Sequence, residues 1–202
     1  MYILRDANTK DLEDIANVHL KEFPNSFLSQ LERKFLVFFY KYFIESHLGF
    51  IKIVEENHFV VGFAAGTNKP KEFYSKFKKE YFFRVFCILF PVFLKKPNIF
   101  IGRIFEFLTY SGSQKKVFNN YSLLSSIAVL KEHRKDKNSL KLLSFFIKGC
   151  KELGSDGIYL TTDIKDNESV ISFYEKNNFK IKEIFRQKSG RKLYTMALSF
   201  SK

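Results

Sequence analysis

The chain has 202 residues, enough for one sizeable core, and 34 lysines and arginines against 21 aspartates and glutamates give a formal net charge of +13. Cys87 and Cys150 stand alone and far apart, which excludes a disulfide framework or a paired-cysteine zinc site, fits a reducing cytoplasm, and reads both as buried small apolar residues. The opening MYILRDANTK turns charged too early for a secretory signal, and the positive balance predicts a polyanionic partner: nucleic acid, an anionic membrane or a phosphorylated cofactor.

YILR at the start alternates as a short strand. NTKDLEDIANVHLKEF follows with Leu12, Ile15, Ala16, His19, Leu20 and Phe23 at helical spacing, and Thr9 is its expected N-cap. PNSFLSQLERKFLVFFYKYFIES begins at Pro24 with Asn25 or Ser26 as a start signal, so a second helix meets the first between Phe23 and Ser26. GFIKIVEE and HFVVGFAAGT, separated by ENH, predict an antiparallel hairpin. The next clear strand is YSLLSSIAVL, residues 121–130.

The intervening segment, about 69–118, is too long for a structureless connection. Its periodicity predicts a pair of amphipathic helices capping the core, interrupted at Pro91 and Pro97. The apolar run Val85–Leu94 is too short to span a bilayer, but lysines dominate its flanks as far as Lys96 and Arg103, so peripheral contact with a membrane is a second reading.

SLKLLSFFIKGCKELG reads as a helix with Leu140, Leu143, Ile147 and Cys150 on one stripe and Gly154 as its stop. GIYLTTD is a strand. DNESVISFYEKNNF is a helix started by Asp166 or Asn167 and ended by Asn178, and KIKEIFR with KLYTMALSF closes the chain as a hairpin around QKSGR. This order predicts one α/β domain over residues 1–202, with the helical insertion between its third and fourth strands.

The turn KEHRKDKNS, between the strand at 121–130 and the helix after it, is cationic and has no glycine. On its residues alone it reads equally as a phosphate cradle at a helix N-terminus or as a solvated corner. His133 reads as an exposed loop residue and His19 as a partly buried helix residue.

The element order, IAVLKEHRKDKNSLKLL and NESVISFYEKNNF together resemble the GNAT superfamily of N-acetyltransferases. The resemblance implies a mixed, mostly antiparallel central sheet flanked by helices, acetyl-CoA as co-substrate and no metal. In the family pattern an apolar-small-apolar triplet, here Ile127, Ala128 and Val129, precedes Arg or Gln, two residues, Gly, one residue, and Gly or Ala. Arg134 fits; Lys137 replaces the first glycine and Ser139 the second. The turn Arg134, Lys135, Asp136, Lys137, Asn138, Ser139 is thereby implied to hold the cofactor diphosphate, and the backbone of Ile127–Val129 to pair with the pantetheine amides.

In the second signature Tyr174 matches the tyrosine beside the cofactor sulfur, Asn167 the asparagine contacting the pantetheine arm, and Phe179 the closing aromatic; Asn178 replaces a glycine. The implied mechanism is direct attack by the acceptor amine on the thioester, with the Val129 N–H stabilising the oxyanion and Tyr174 assisting the departing thiolate. HLKEFPNSFLSQLERKFLVFFYKYF resembles the paired helices of a GNAT subset associated with small amines and amino sugars, implying acceptor contacts at Phe23, Ser26 and Phe27. YSLLSS has no carboxylate where relatives carry a base, which leaves water, Glu22, Asp163 or His19 to receive the proton.

The expectation is a cytoplasmic, acetyl-CoA-dependent N-acetyltransferase acting on a primary amine of a small molecule. An apolar insert larger than one core can cover suggests a homodimer. The competing readings are a CoA-binding protein impaired in catalysis and, with no recognisable nucleic-acid-binding motif in its favour, a basic nucleic-acid-binding protein.

Overall fold

A computed structural model describes residues 1–95, 118–187 and 190–200. The elements are β1 (Tyr2–Asp6), α1 (Leu12–Glu22), α2 (Phe27–Gln30), α3 (Glu32–Glu45), β2 (Gly49–Glu56), β3 (Phe59–Thr67) and α4 (Pro70–Lys95). Then come β4 (Tyr121–Val129), α5 (Asn138–Glu152), β5 (Gly157–Asp163), α6 (Glu168–Lys176), β6 (Lys180–Arg186) and β7 (Lys192–Ser199). All seven strands form one sheet in the order β1-β2-β3-β4-β5-β7-β6, antiparallel except between β4 and β5. The predicted α/β architecture is therefore present, with α4 between β3 and β4.

Strand periodicity assigns the two faces of the sheet. Phe63 in β3 turns toward α1 and α3, where its ring meets Tyr40 and His19. The alternate positions of β2 and β3 turn toward α5: Phe50 stacks on Phe146, and Gly66 lies directly under the same ring. Lys52 crosses that face beside Gly149 to reach Asp6 at 2.6 Å. Helices thus cover both faces, and Phe35, Phe43, Phe63, Phe73 and Phe146 are fully buried between the layers.

Several local expectations change. Asn8, not Thr9, starts the first helical segment: its side chain accepts from the Lys10 N–H, while the Asp11 carboxylate accepts from the Asn8 N–H. Ser26 caps α2 by accepting from the Ser29 N–H at 3.1 Å. The predicted second helix is then interrupted, because Glu32 at φ 67 breaks the helical path between α2 and the rest of α3.

Pro91 does not end its helix; α4 runs through it. The proline removes one backbone donor, but Val85 and Leu89 before it pack in the core and Val92 after it is buried. Pro97, Lys96, Arg103 and the second helix of the expected pair lie outside the described residues.

In α5 the buried stripe is Leu142, Leu143, Phe146 and Cys150, whereas Leu140 is exposed. Gly154 does stop that segment at φ 73, and Asn178 takes the left-handed conformation at φ 65. Asn167 stands at the start of α6, but neither its side chain nor that of Asp166 caps the helix. Cys150 is buried; Cys87 is exposed.

Candidate functional site at the β4–β5 divergence

β4 and β5 pair at only three positions, Tyr121 with Gly157, Ser122 with Ile158 and Leu123 with Tyr159, and then part. The separation begins where β4 bulges: Gly66 faces Leu124 and Ala65 faces Ser126, leaving Ser125 as an extra residue that bends the strand. Leu130 N donates to Val61 O at 2.9 Å. By the alternation of an antiparallel ladder, Ala128 and Ser126 also bond toward β3, so Ile127 and Val129 turn their N–H and C=O groups toward the edge that β5 has left. Among the described residues no strand pairs with them there.

Beyond β4, a short 3-10 turn at Lys131–His133 leads to Lys137, whose φ of 56 and ψ of 25 place it in the left-handed region at the start of α5. This is the position where the family pattern carries glycine. A lysine in this conformation costs about 1 kcal/mol relative to glycine. The sequence retains the backbone shape that the glycine encodes and adds a cation to it.

Arg134 closes the end of β4: its Nε donates to Val129 O at 2.9 Å, and its guanidinium pairs with the Glu22 carboxylate. Glu22 also accepts from the Lys131 N–H at 3.1 Å, so the C-terminal end of α1 is fastened to the turn. Lys135 and Asp136 are exposed and Ser139 is half-buried in the first helical turn. Asn138 is fully buried; its Nδ2 donates to His133 O at 2.8 Å, and its Oδ1 has no partner among the described residues. His133 is not a free loop residue, since its Nδ1 lies 2.9 Å from Glu56 and 3.3 Å from the Tyr2 hydroxyl. An α5 start with open first-turn N–H groups, a left-handed residue before it and flanking cations is chemically suited to a diphosphate.

The β5 side of the divergence carries the second set. Asn167 donates from Nδ2 to Thr162 Oγ1 at 2.7 Å and to Asp163 O at 2.9 Å, which ties the start of α6 to the end of β5. Tyr174 is buried within α6, edge-on to Phe173 and Phe179. Its hydroxyl has no hydrogen-bond partner among the described residues, and burial raises its pKa, keeping the phenol protonated.

At the corner between α1 and α2, Phe23, Ser26 and Phe27 are half-buried. His19 is buried beneath them, not partly exposed as its helix position suggests: Nδ1 lies 2.6 Å from the Tyr40 hydroxyl and Nε2 lies 3.3 Å from Ser26 Oγ. Tyr40 in turn interacts with Ser126 of β4. A polar path through buried His19 and Tyr40 thus links the corner to the residue just before Ile127. The Tyr40 and Ser126 parts of it leave one sequence signal, two adjacent serines among the apolar residues of β4, and Tyr74 uses the other of them, Ser125, at 3.1 Å.

Burial lowers the His19 pKa from 6.5 to about 4. The folded protein then keeps His19 neutral at pH values where the unfolded chain binds a proton. Stability present above about pH 6.5 is lost as the pH falls toward about 4, by up to about 3 kcal/mol. Thermal melts of His19→Gln should show a shallower decline of Tm between about pH 7 and 5 than the parent; parallel declines would show that His19 does not set this dependence.

Residues 12–179 match the acetyltransferase (GNAT) family. Among solved structures, the fold is similar to the ribosomal-protein-S18-alanine N-acetyltransferase of Escherichia coli, with 14% identity, TM-score 0.63, and coverage of 100% of this chain and 96% of that one. It is similar to aminoglycoside 6'-acetyltransferase type Ii, with 14% identity, TM-score 0.63, and coverage of 98% and 96%. A GNAT-family acetyltransferase of Streptococcus pneumoniae gives 14% identity, TM-score 0.61, and full coverage of both chains, 100% each. No curated protein sequence matches. The family match over most of the chain, joined to a sheet that opens between β4 and β5, makes this protein a member of the GNAT acetyltransferase family, an acetyl-CoA-dependent acyltransferase.

Proposed function

We propose that this enzyme acetylates a primary amine of a small molecule, with acetyl-CoA lying in the β4–β5 divergence. The observation that carries the reading is the unpaired edge of Ile127–Val129 opening beside the left-handed start of α5. Open N–H groups there suit the diphosphate, with Arg134, Lys135 and Lys137 adding charge and Asp136, Asn138 and Ser139 completing the turn. Ile127, Ala128 and Val129 supply the strand edge for the pantetheine amides, and Asn167 faces the arm from the β5 side.

The neutral amine attacks the thioester carbon, the Val129 N–H receives the developing oxyanion, and collapse expels the CoA thiolate toward Tyr174. The protonated phenol of Tyr174 donates to that sulfur. Glu22 and Asp163 are each engaged by an arginine, Arg134 and Arg191. His19 is too weakly basic to hold the proton at neutral pH. The amine's proton therefore passes to water. Phe23, Ser26 and Phe27 form the acceptor side, next to the turn through the bonds of Glu22.

Of the similar structures, one is named for a ribosomal-protein alanine and another for an aminoglycoside, so protein and small-molecule acceptors both occur on this fold. Release of free thiol from acetyl-CoA with small amines, and none with peptides bearing a free N-terminus, is the expected result; the reverse pattern would overturn the small-molecule assignment. A second reading, a CoA-binding protein without turnover, is favoured by the Arg134 bond that occupies Val129 O. Thiol release with any amine excludes it.

Arg134→Gln should weaken CoA about tenfold by calorimetry, since a charge-assisted phosphate contact contributes on the order of 1.5 kcal/mol. Lys137→Gly should raise Tm by about 2–4 °C through relief of the left-handed conformation, while weakening CoA about threefold through loss of the cation. Unchanged CoA affinity in both variants would remove the turn from the cofactor site.

A further inference from the structure

Helix α4 is apolar on two opposite sides. Its inner side rests on α3, where Phe73, Phe77 and Tyr81 meet Phe38, Phe39, Tyr42 and Phe43, and continues through buried Val85, Leu89 and Val92. At about 100° per residue, Phe82, Phe83, Phe86, Phe90 and Leu94 fall on one outward arc of roughly 120°. They are 63%, 76%, 55%, 47% and 65% exposed. Toward the N-terminus Lys71, Ser75, Lys78, Lys79 and Phe82 line an open hollow at the border of the same side, where Glu72 is paired with Lys76 at 3.1 Å.

We propose that this outward face of α4 docks on an anionic bilayer surface, its aromatic end entering the interface and its lysine end meeting the lipid phosphates. From Val85 to Leu94 the helix is apolar all round, and a helical stretch of that kind is covered on every side in its working state. Aromatic residues continuous with lysines match the chemistry of a headgroup boundary. A second copy fits less well, because face-to-face pairing would oppose Lys71, Lys78 and Lys79 of two chains that each carry a formal charge of +13. The contact is peripheral: no helix among the described residues is long and apolar enough to cross a membrane. Docking does not depend on which amine is the acceptor.

Cys87 provides the probe. It is exposed on α4, whereas Cys150 is buried and its thiol is pushed up to about 12, so an environment-sensitive fluorophore labels Cys87 selectively. Vesicles of phosphatidylcholine with phosphatidylglycerol should shift the label to the blue and sediment the unlabelled full chain at least about tenfold more strongly than phosphatidylcholine alone, with the difference falling in high salt. Phe83→Ser combined with Phe86→Ser should lose about tenfold of this binding with Tm and thiol release in solution unchanged, because both side chains point away from the core. Lys71→Gln combined with Lys79→Gln should lose mainly the anionic preference. Equal binding by the parent and the phenylalanine variant overturns the proposal. So does absent vesicle binding accompanied by dimerisation that the phenylalanine changes abolish, or by salt-sensitive retention of duplex DNA. Loss of acetyl transfer with vesicle binding intact would count against the proposed reaction and leave the docking face standing.

Discussion

Tyr174→Phe is expected to lower kcat about 100-fold while changing the CoA dissociation constant by less than about twofold. Burial is the sole cause of the hydroxyl's raised pKa, with no hydrogen bond contributing, so its removal breaks no side-chain bond among the described residues. The ring stays in its place between Phe173 and Phe179, and the cofactor contacts assigned to β4 and the turn at 134–139 are untouched. Burial holds the phenol in its protonated form, which makes it a donor to a leaving thiolate and unsuited to act as a base. Its contribution therefore falls on the departing sulfur, a species absent from the ground state, and the loss belongs in kcat. Thiol-release kinetics with calorimetry of CoA binding separates the two quantities. Equal kcat in the variant and the parent would refute the role; a parallel loss of CoA affinity would make Tyr174 a packing residue of the cofactor channel.

The fold was legible where local patterns and sheet partners agree. Strands β2 and β3, the cationic turn, α6 and the closing hairpin all follow from apolar periodicity with residues that tolerate left-handed backbone, as Gly154, Asn178 and Gly190 show. What the sequence left hidden depends on contacts distant in the chain. Pro91 reads as a helix breaker because its backbone effect is local, whereas the burial of Val85, Leu89 and Val92 around it is a property of the folded chain. Leu140 reads as buried because it is apolar at helical spacing and Cys87 because a lone thiol behaves as a small apolar residue, yet neither sign says which side of its helix meets the core. The same limit applied at the site. Lys137 and Ser139 were readable as replacements for glycine, but the left-handed conformation of Lys137 is a property of the backbone that no side-chain pattern encodes. The Glu22 clamp on Arg134 and the path from Ser26 through His19 and Tyr40 to Ser126 join residues whose proximity only the folded sheet creates.

Gly66 connects this packing to the site. A Cβ there would lie 2.4 Å from Phe146 Cζ and 2.5 Å from Leu123 O, both closer than real Cβ atoms come. Neither neighbour yields easily: Leu123 is the last β4 residue paired with β5, and Phe146 is fully buried and stacked on Phe50. Gly66→Ala should therefore cost about 3 kcal/mol and lower Tm by about 6–12 °C. At Gly154, where φ is 73 and nothing lies within 4 Å of the added atom, the same substitution should cost only about 1 kcal/mol, the conformational penalty alone. The two variants differ in function as well. Phe146 sits on α5, so pushing it away from Gly66 moves the helix whose first turn is assigned to the diphosphate, while Gly154 lies beyond the far end of that helix. Saturating CoA should raise the Tm of Gly154→Ala as much as that of the parent and raise that of Gly66→Ala less, because stabilisation by a ligand follows its affinity for the folded state. An equal CoA-induced rise in both, despite the expected loss of stability in Gly66→Ala, would mean that α5 does not carry the cofactor.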